Sequence, residues 1–352
     1  MQKPIQAAIL GAAGSVGQRF VRLLTGHPWF EVVAVTGSER SVGQRYGDAC
    51  HWVLPEEMPD WVKDMEISSS YTSAPDVPLV FSALPSHYAK EIEPKFAAGG
   101  TWVCSNASAF RSEADVPILL PEINPQHLVL IEEQKRNRGW KGGIVTNSNC
   151  TSTGIAVVLY VLDQHYGVDQ VFAVSMQAIS GAGYPGVAAL DILDNVIPHI
   201  PGEEEKVELE TRKILGEVEN GSIVPANIQI SAHTNRVAVS DGHTVCLSIG
   251  LRDAPADLSQ VIAKLRAYQA PEASRELPST PDPVIYYSEA DDRPQPRLDR
   301  MYGKGMSTGV GRLRVDPILD LKLVVLSHNT IRGAAGGSIY NAELLVQEGY
   351  LS

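Results

Sequence analysis

The chain has 352 residues, 44% of them apolar, and its 29 basic and 41 acidic side chains give a formal net charge of −12. That length exceeds what one core usually fills and points to two domains. The acidic balance argues against a nucleic-acid binder, and no apolar run approaches the roughly 20 residues that span a bilayer, so a cytoplasmic location is expected by default.

In chain order, Ile5–Leu10 reads as a short buried strand and Gly14–Leu24 as a helix opening on glycines. Between them runs Gly11-Ala12-Ala13-Gly14-Ser15-Val16-Gly17. Small residues there let the backbone approach a pyrophosphate, and the helix start offers unpaired N–H groups and the positive end of a dipole. The glycines alone would also suit a bare strand–helix turn; the strand–turn–helix context favours a dinucleotide, with Gly11, Ala13, Gly14, Ser15, Val16 and Gly17 as its contacts.

A second strand, Glu31–Val35, leads into Ser38-Glu39-Arg40-Ser41. Arg40 with Ser38 and Ser41 suits a ribose 2′-phosphate, so NADP is the expected cofactor; Glu39 would serve the ribose of NAD if it pointed inward. Further strands are read at Leu79–Ala83, Trp102–Cys104 and Gly143–Thr146, with a helix over Tyr88–Ala98. This β-α-β rhythm predicts a doubly wound parallel sheet with helices on both faces.

The second half has a different texture. Cys150–His165 reads as a helix with Ile155, Val158, Leu159 and Leu162 on its apolar face. Strand-like runs follow at Gln170–Ile179, Asn227–Asn235, Thr244–Leu251 and Leu319–Ser327. Helices are expected at Val187–Val196, Glu203–Leu215 and Leu258–Tyr268, and a last one at Gly337–Gln347. Such a pattern predicts a mixed or antiparallel sheet covered on one face, an α+β domain. The expected division is 1–149 plus 333–352 for the dinucleotide domain and 150–332 for a catalytic and dimerisation domain.

The four cysteines form no CxxC pair, so no metal site is expected; Cys50, Cys104 and Cys246 are expected to pack as small hydrophobes. Cys150 differs, because Thr146-Asn147-Ser148-Asn149-Cys150-Thr151 places it where a strand hands over to a helix. The first helical turn favours thiolate, and its N–H groups could hold an oxyanion. The same residues would also suit a buried cysteine beside a helix cap. A thiolate nucleophile needs a proton partner, and His243, just after the Asp241-Gly242 turn, is the candidate.

Together these segments resemble the aspartate-semialdehyde dehydrogenase family over nearly the whole chain. The resemblance rests on Gly11–Gly17, Ser105 to Arg111, Asn149-Cys150, Gln177 with Ser180-Gly181-Ala182-Gly183, Glu203 to Lys206, Arg236 to His243, and Gly333 to Gly336, in that order. Ser327 to Arg332 and the Asp241–Thr244 segment look closest to its archaeal and fungal branch.

The resemblance implies a glyceraldehyde-3-phosphate dehydrogenase-like second domain and NADPH-dependent reductive dephosphorylation of L-aspartyl 4-phosphate through a Cys150 thioester. It makes His243 the acid–base catalyst and Gln177 the residue orienting the intermediate. Arg236 would take the α-carboxylate and Glu203 the α-ammonium, while Arg111, Asn149 and Lys206 would hold phosphate. Ser82, Gly181, Gly183, Asn329, Gly333 and Ala334 would line the cofactor. A homodimer or homotetramer is implied. On its own residues, Glu203 to Lys206 would equally fit an exposed acidic helix start. Ser148 stands where many relatives have proline. Malonyl-CoA reductase and N-acetyl-glutamyl-phosphate reductase are neighbouring readings, and a silent nucleotide-binding relative would have lost Cys150 or His243.

Overall fold

The computed structural model describes residues 3–71 and 75–352. Strands β1 (Ile5–Leu10), β2 (Phe30–Gly37), β3 (Ile67–Ser69), β4 (Leu79–Ser82), β5 (Trp102–Ser105) and β6 (Gly143–Thr146) form one sheet in the order β3-β2-β1-β4-β5-β6. Every neighbouring pair is parallel. Helices α1 (Ser15–Leu23), α2 (Ser86–Gly99) and α3 (Leu130–Arg138) lie between them in sequence. β1, β4, β5 and β6 are largely or wholly buried, as a parallel sheet covered on both faces requires. Strand order reverses beside β1, so a crevice opens past the carboxyl ends of β1 and β4, where such sheets bind ligands.

A second sheet is built from β7 (Val168–Gln177), β10 (Gln229–Arg236), β11 (His243–Leu251), β12 (Ile285–Ser288), β13 (Thr308–Val315) and β14 (Leu321–Ser327). The order is β10-β7-β11-β14-β13-β12, with β10–β7 and β12–β13 parallel and the other pairs antiparallel. β8 (Glu217–Glu219) and β9 (Ser222–Val224) make a separate hairpin.

Helices α4 (Cys150–Tyr166), α5 (Glu203–Ile214) and α6 (Leu258–Ala267) contribute to the core against this sheet. Ile155, Val158, Leu159 and Leu162 of α4 are fully buried with Val171, Ala173, Val245 and Leu247 in that core. The other face is open: burial alternates along β7, leaving Phe172 50% and Val174 40% exposed. This is the mixed sheet covered on one face that the sequence suggests.

The expected division at 149/150 coincides with the start of α4, yet Ile118, Leu120 and Ile123 also pack into the second core. After β14 the chain turns through Ile331–Ala335 into α7 (Gly336–Gln347), whose Ile339, Tyr340, Leu344 and Leu345 join Ile9, Phe81 and Val145 in the first core.

The structure departs from the sequence pattern in several elements. The helix expected over Val187–Val196 is one turn, Ala189–Ile192, with Leu190 and Leu193 strongly exposed. Of its apolar residues Ile192 is buried while Leu190, Leu193 and Val196 stay exposed, so the segment buries too little of a face to extend the helix beyond one turn. β3, β12, β13, the β8–β9 hairpin and α3 were not anticipated. β13 carries Gly309 and Gly311, which read as breaks, and α3 is LIEEQKRNR, apolar only in its first two positions. Cys50 and Cys104 are buried as expected, but Cys246 is exposed on the open face of β11.

Candidate active site

Cys150 is the first residue of α4 and is half-buried. Asn149 caps the helix: its Oδ1 accepts the main-chain N–H groups of Thr151 at 2.8 Å and Ser152 at 3.1 Å. Those are two of the N–H groups expected to hold an oxyanion, so the cap has already used them; the Cys150 N–H remains beside its own sulfur. Ser148 fills the position where proline was noted in relatives, and its hydroxyl meets that of Thr153 at 2.6 Å, locking the approach to the helix.

The electrostatics differ from the expectation of a ready thiolate. Burial pushes the Cys150 thiol up to about 12 and the Glu203 charge adds to this. Arg111, Arg236 and the backbone N–H pull the other way without prevailing. His243 lies with Nε2 3.2 Å from the Cys150 sulfur. Burial, then the positive charge of Arg236, brings this ring down to about 3, so it is neutral at ordinary pH. Its Nδ1 accepts the Ala178 N–H at 3.1 Å. With that lone pair engaged, the neutral ring carries its proton on Nε2 and presents it to sulfur.

A cavity of about 470 Å³ opens in front of this pair. Cys150, Gln177, Arg236, Glu203, Lys206, Arg111 and Asn149 all line it, together with Asn106. Glu203 is its central anion and is 7% exposed, which decides against the exposed helix start. Its Oε1 accepts Asn149 Nδ2 at 2.8 Å and Gln177 Nε2 at 3.1 Å, and its Oε2 is 3.8 Å from Lys206 Nζ. Arg236 donates from Nη1 to the Ala178 carbonyl at 2.8 Å. Arg111 pairs with Glu210 at 3.1 Å.

Two glycines permit this closeness. A methyl group at Gly181 would lie 2.7 Å from Arg236 Nη1 and 3.1 Å from His243 Cε1. One at Gly333 would lie 2.8 Å from Cys150 Cβ.

The residues expected to hold a dinucleotide divide between two places. Ser15, Val16, Gly181, Gly183, Asn329, Gly333 and Ala334 line the same cavity as Cys150. Gly11, Ser38 and Arg40 line a second cleft of about 340 Å³ with Glu39, Tyr71 and Tyr88. α1 starts after Gly14 with no side-chain cap, leaving its first N–H groups for an anion. These features fit a dinucleotide with its adenosine end in the second cleft and its nicotinamide end near sulfur.

Other residues from the expected set do not line either space. Gly17 packs so tightly under the loop that a methyl group would come within 2.3 Å of the Gly11 carbonyl oxygen. Ala13 and Gly14 shape the same loop, the Ala13 carbonyl accepting Gln18 Nε2 at 2.9 Å. Ser41 Oγ donates to the Ser38 carbonyl at 2.8 Å, stabilising the loop that carries Ser38 and Arg40. Ser82 is fully buried at the end of β4, its carbonyl accepting the Asn106 N–H at 3.0 Å, and is a support beneath the site. Asn329 also bridges two loops, donating to Ser180 Oγ and accepting the Gly242 N–H, each at 2.8 Å.

Sequence reading missed Glu210 and Arg19. Glu210 lies seven residues after Glu203 on the same helix, a spacing that could have flagged it. Arg19 of α1 reaches Asp241 at 3.6 Å and Thr330 Oγ1 at 3.1 Å, joining the dinucleotide helix to the loop before His243. No local sequence signal marks that contact.

Residues 6–131 match the family model for the semialdehyde dehydrogenase NAD binding domain, and residues 160–332 that for the semialdehyde dehydrogenase dimerisation domain. The aspartate-semialdehyde dehydrogenase of Archaeoglobus fulgidus is 49% identical, covering 97% of each chain. That of Saccharomyces cerevisiae is 42% identical, again covering 97% of each. Among solved structures, the Candida albicans aspartate-semialdehyde dehydrogenase with NADP superposes with a TM-score of 0.90 at 41% identity, covering 99% of this chain and 100% of that one. Archaeal and fungal relatives are thus both present, in keeping with the branch read from the sequence.

Proposed function

The chain belongs to the aspartate-semialdehyde dehydrogenase family, and on that premise we propose that it converts L-aspartyl 4-phosphate to L-aspartate 4-semialdehyde through a thioester on Cys150, with NADP as its cofactor. The observation that carries this reading is the 3.2 Å approach of His243 Nε2 to the sulfur of Cys150, which lines one cavity with Arg236 and Glu203.

Arg236 pairs with the substrate carboxylate, using the guanidinium donors not spent on Ala178. Glu203 accepts the substrate ammonium, Gln177 orients the acyl group, and Arg111, Asn149 and Lys206 hold the phosphate. Sulfur attacks the acyl carbon; the S–C bond forms, the C–O bond to phosphate breaks, and the thiol proton leaves on the phosphate. Throughout, the His243 Nε2–H donates a hydrogen bond to sulfur as charge develops, since a proton taken up by this ring would cost the Ala178 bond.

NADPH, when bound, supplies the hydride that reduces the thioester. The uncapped start of α1 at Ser15 and Val16 would hold its pyrophosphate, the Gly181–Gly183 and Gly333–Ala334 segments its nicotinamide side, and Ser38 and Arg40 its 2′-phosphate. Glu39 lines the same cleft, but its Oε1 accepts Ser69 Oγ at 2.8 Å, which draws the carboxylate into the protein's own bonding. Collapse of the reduced intermediate releases the aldehyde and a thiolate, which the His243 Nε2–H stabilises until a proton from solvent restores the thiol.

The division at 149/150 with 333–352 returning to the first unit is the domain reading we adopt. Pairing of two copies through the open face of the second sheet is the assembly reading, supported by exposed Phe172 and Val174 and by the match to a dimerisation domain. No helix among the described residues is long and apolar enough to cross a membrane. A cytoplasmic location accords with this chemistry.

The test follows nicotinamide absorbance with aspartate semialdehyde, phosphate and each cofactor, beside malonyl-CoA. Activity is expected with the semialdehyde, phosphate and NADP. Cys150→Ser should lose nearly all turnover while retaining NADP binding; full activity in that variant would refute covalent catalysis. The relatives named above offer nothing in favour of malonyl-CoA reductase.

A further inference from the structure

Helix α5 sets four charged side chains at intervals of three and four residues: Glu203, Lys206, Glu210 and Lys213. The chemistry above uses the first two. Glu210 is 7% exposed, and its Oε2 accepts the main-chain N–H of Asn149, the residue before the nucleophile, at 2.6 Å. Its two oxygens also face Arg111 Nη1 at 3.1 and 3.4 Å. Arg111 Nη2 donates to the Asn106 carbonyl at 2.7 Å. One turn further along α5, Lys213 Nζ donates to the main-chain carbonyls of Arg111, Glu113 and Val116 at 2.7, 2.6 and 2.9 Å.

The guanidinium that lines the catalytic cavity is therefore fixed at its loop and at both terminal nitrogens, with a buried anion on one of them. A buried arginine left unopposed would grip a phosphate dianion tightly. Tight uniform binding does not help turnover when product must leave each cycle. Resting on the reading of Arg111 as a phosphate ligand, we propose that Glu210 is a positioning residue that aims Arg111 and offsets part of its charge, so that phosphate is released after the thioester forms.

The near-isosteric Glu210→Gln variant removes the charge and keeps an acceptor oxygen for the Asn149 N–H. Assayed toward acyl phosphate formation, its KM for inorganic phosphate should fall about fivefold, the scale of a partly screened ion pair. Its kcat toward the semialdehyde should drop as phosphate release slows. Its Tm should stay within about 2 °C of the parent. A KM that is unchanged, or that rises together with a fall in Tm, overturns the proposal, since a merely structural residue would behave in the second way.

Arg111→Gln separates this inference from the reading beneath it. That variant should raise the phosphate KM, and adding Glu210→Gln to it should bring no further decrease. If Arg111→Gln leaves the phosphate KM unchanged, the phosphate role of Arg111 is what has failed, and the proposal falls with it. If Arg111→Gln raises it while Glu210→Gln alone has no effect, only the role of Glu210 is refuted.

Discussion

At Cys150 the helix start and the surrounding protein act on the same proton in opposite senses. The N-terminal turn stabilises a thiolate, but loss of water and the nearby Glu203 carboxylate hold the thiol up to about 12. His243 is brought down to about 3, so it is uncharged above that pH and no inflection from this ring is expected between pH 5 and 9. Alkylation of Cys150 by iodoacetamide should accelerate about tenfold per pH unit over pH 6–9 without a plateau, because only the thiolate reacts.

The hydrogen-bond role of His243 predicts a graded series. His243→Gln, which keeps an N–H donor but no basic nitrogen, should lose about tenfold in kcat, whereas His243→Ala should lose about 10²–10³-fold, as when an electrostatic donor is deleted. Equal losses in the two variants would show that the ring takes up the proton after all. Cys150 and His243 were legible in the sequence as candidates, because each sits at a turn where a side chain can face a cleft. The thiol's resting state was not legible, since it depends on burial and on Glu203, which only the fold brings near.

Among elements, those with strong periodicity and room to bury it were legible: β1, α1, α4, β7, β11 and α7. Those missed lacked such a pattern. α3 shows almost no apolar face, and β3 is three residues long. Tertiary neighbours, not local sequence, explain why they form.

The segment from β14 to α7 illustrates the same dependence. Arg332 is fully buried and donates from Nε to Glu122 Oε1 at 2.8 Å, a carboxylate that is 1% exposed. This pair joins the chain near Gly333, and hence the floor under Cys150, to the loop between β5 and α3. Glu122→Ala would leave a buried guanidinium uncompensated and should cost about 3–5 kcal/mol in denaturant unfolding, with activity falling through displacement of Gly333. A change below about 0.5 kcal/mol, the usual range for surface substitutions, would mean that the pair is not structural.

For the whole molecule, two sheets of unlike construction meet at one cavity. The first offers a helix start and glycine loop; the second supplies Gln177, Arg236 and His243 from strand ends, and α4 and α5 bring Cys150 and Glu203. The open face of the second sheet predicts the assembly. Phe172→Glu, alone or with Val174→Lys, should shift the particle toward monomer in size-exclusion chromatography with light scattering. An unchanged mass would place the contact elsewhere.

The return of α7 to the first core has a consequence for biosynthesis. Ile339, Tyr340, Leu344 and Leu345 complete packing begun by Ile9 and Phe81, more than 250 residues earlier in the chain. On the ribosome the dinucleotide-binding layer must therefore wait, with part of its interior uncovered, until the later sheet has been translated. Nascent chains halted before residue 336 should attract chaperones through that uncovered layer.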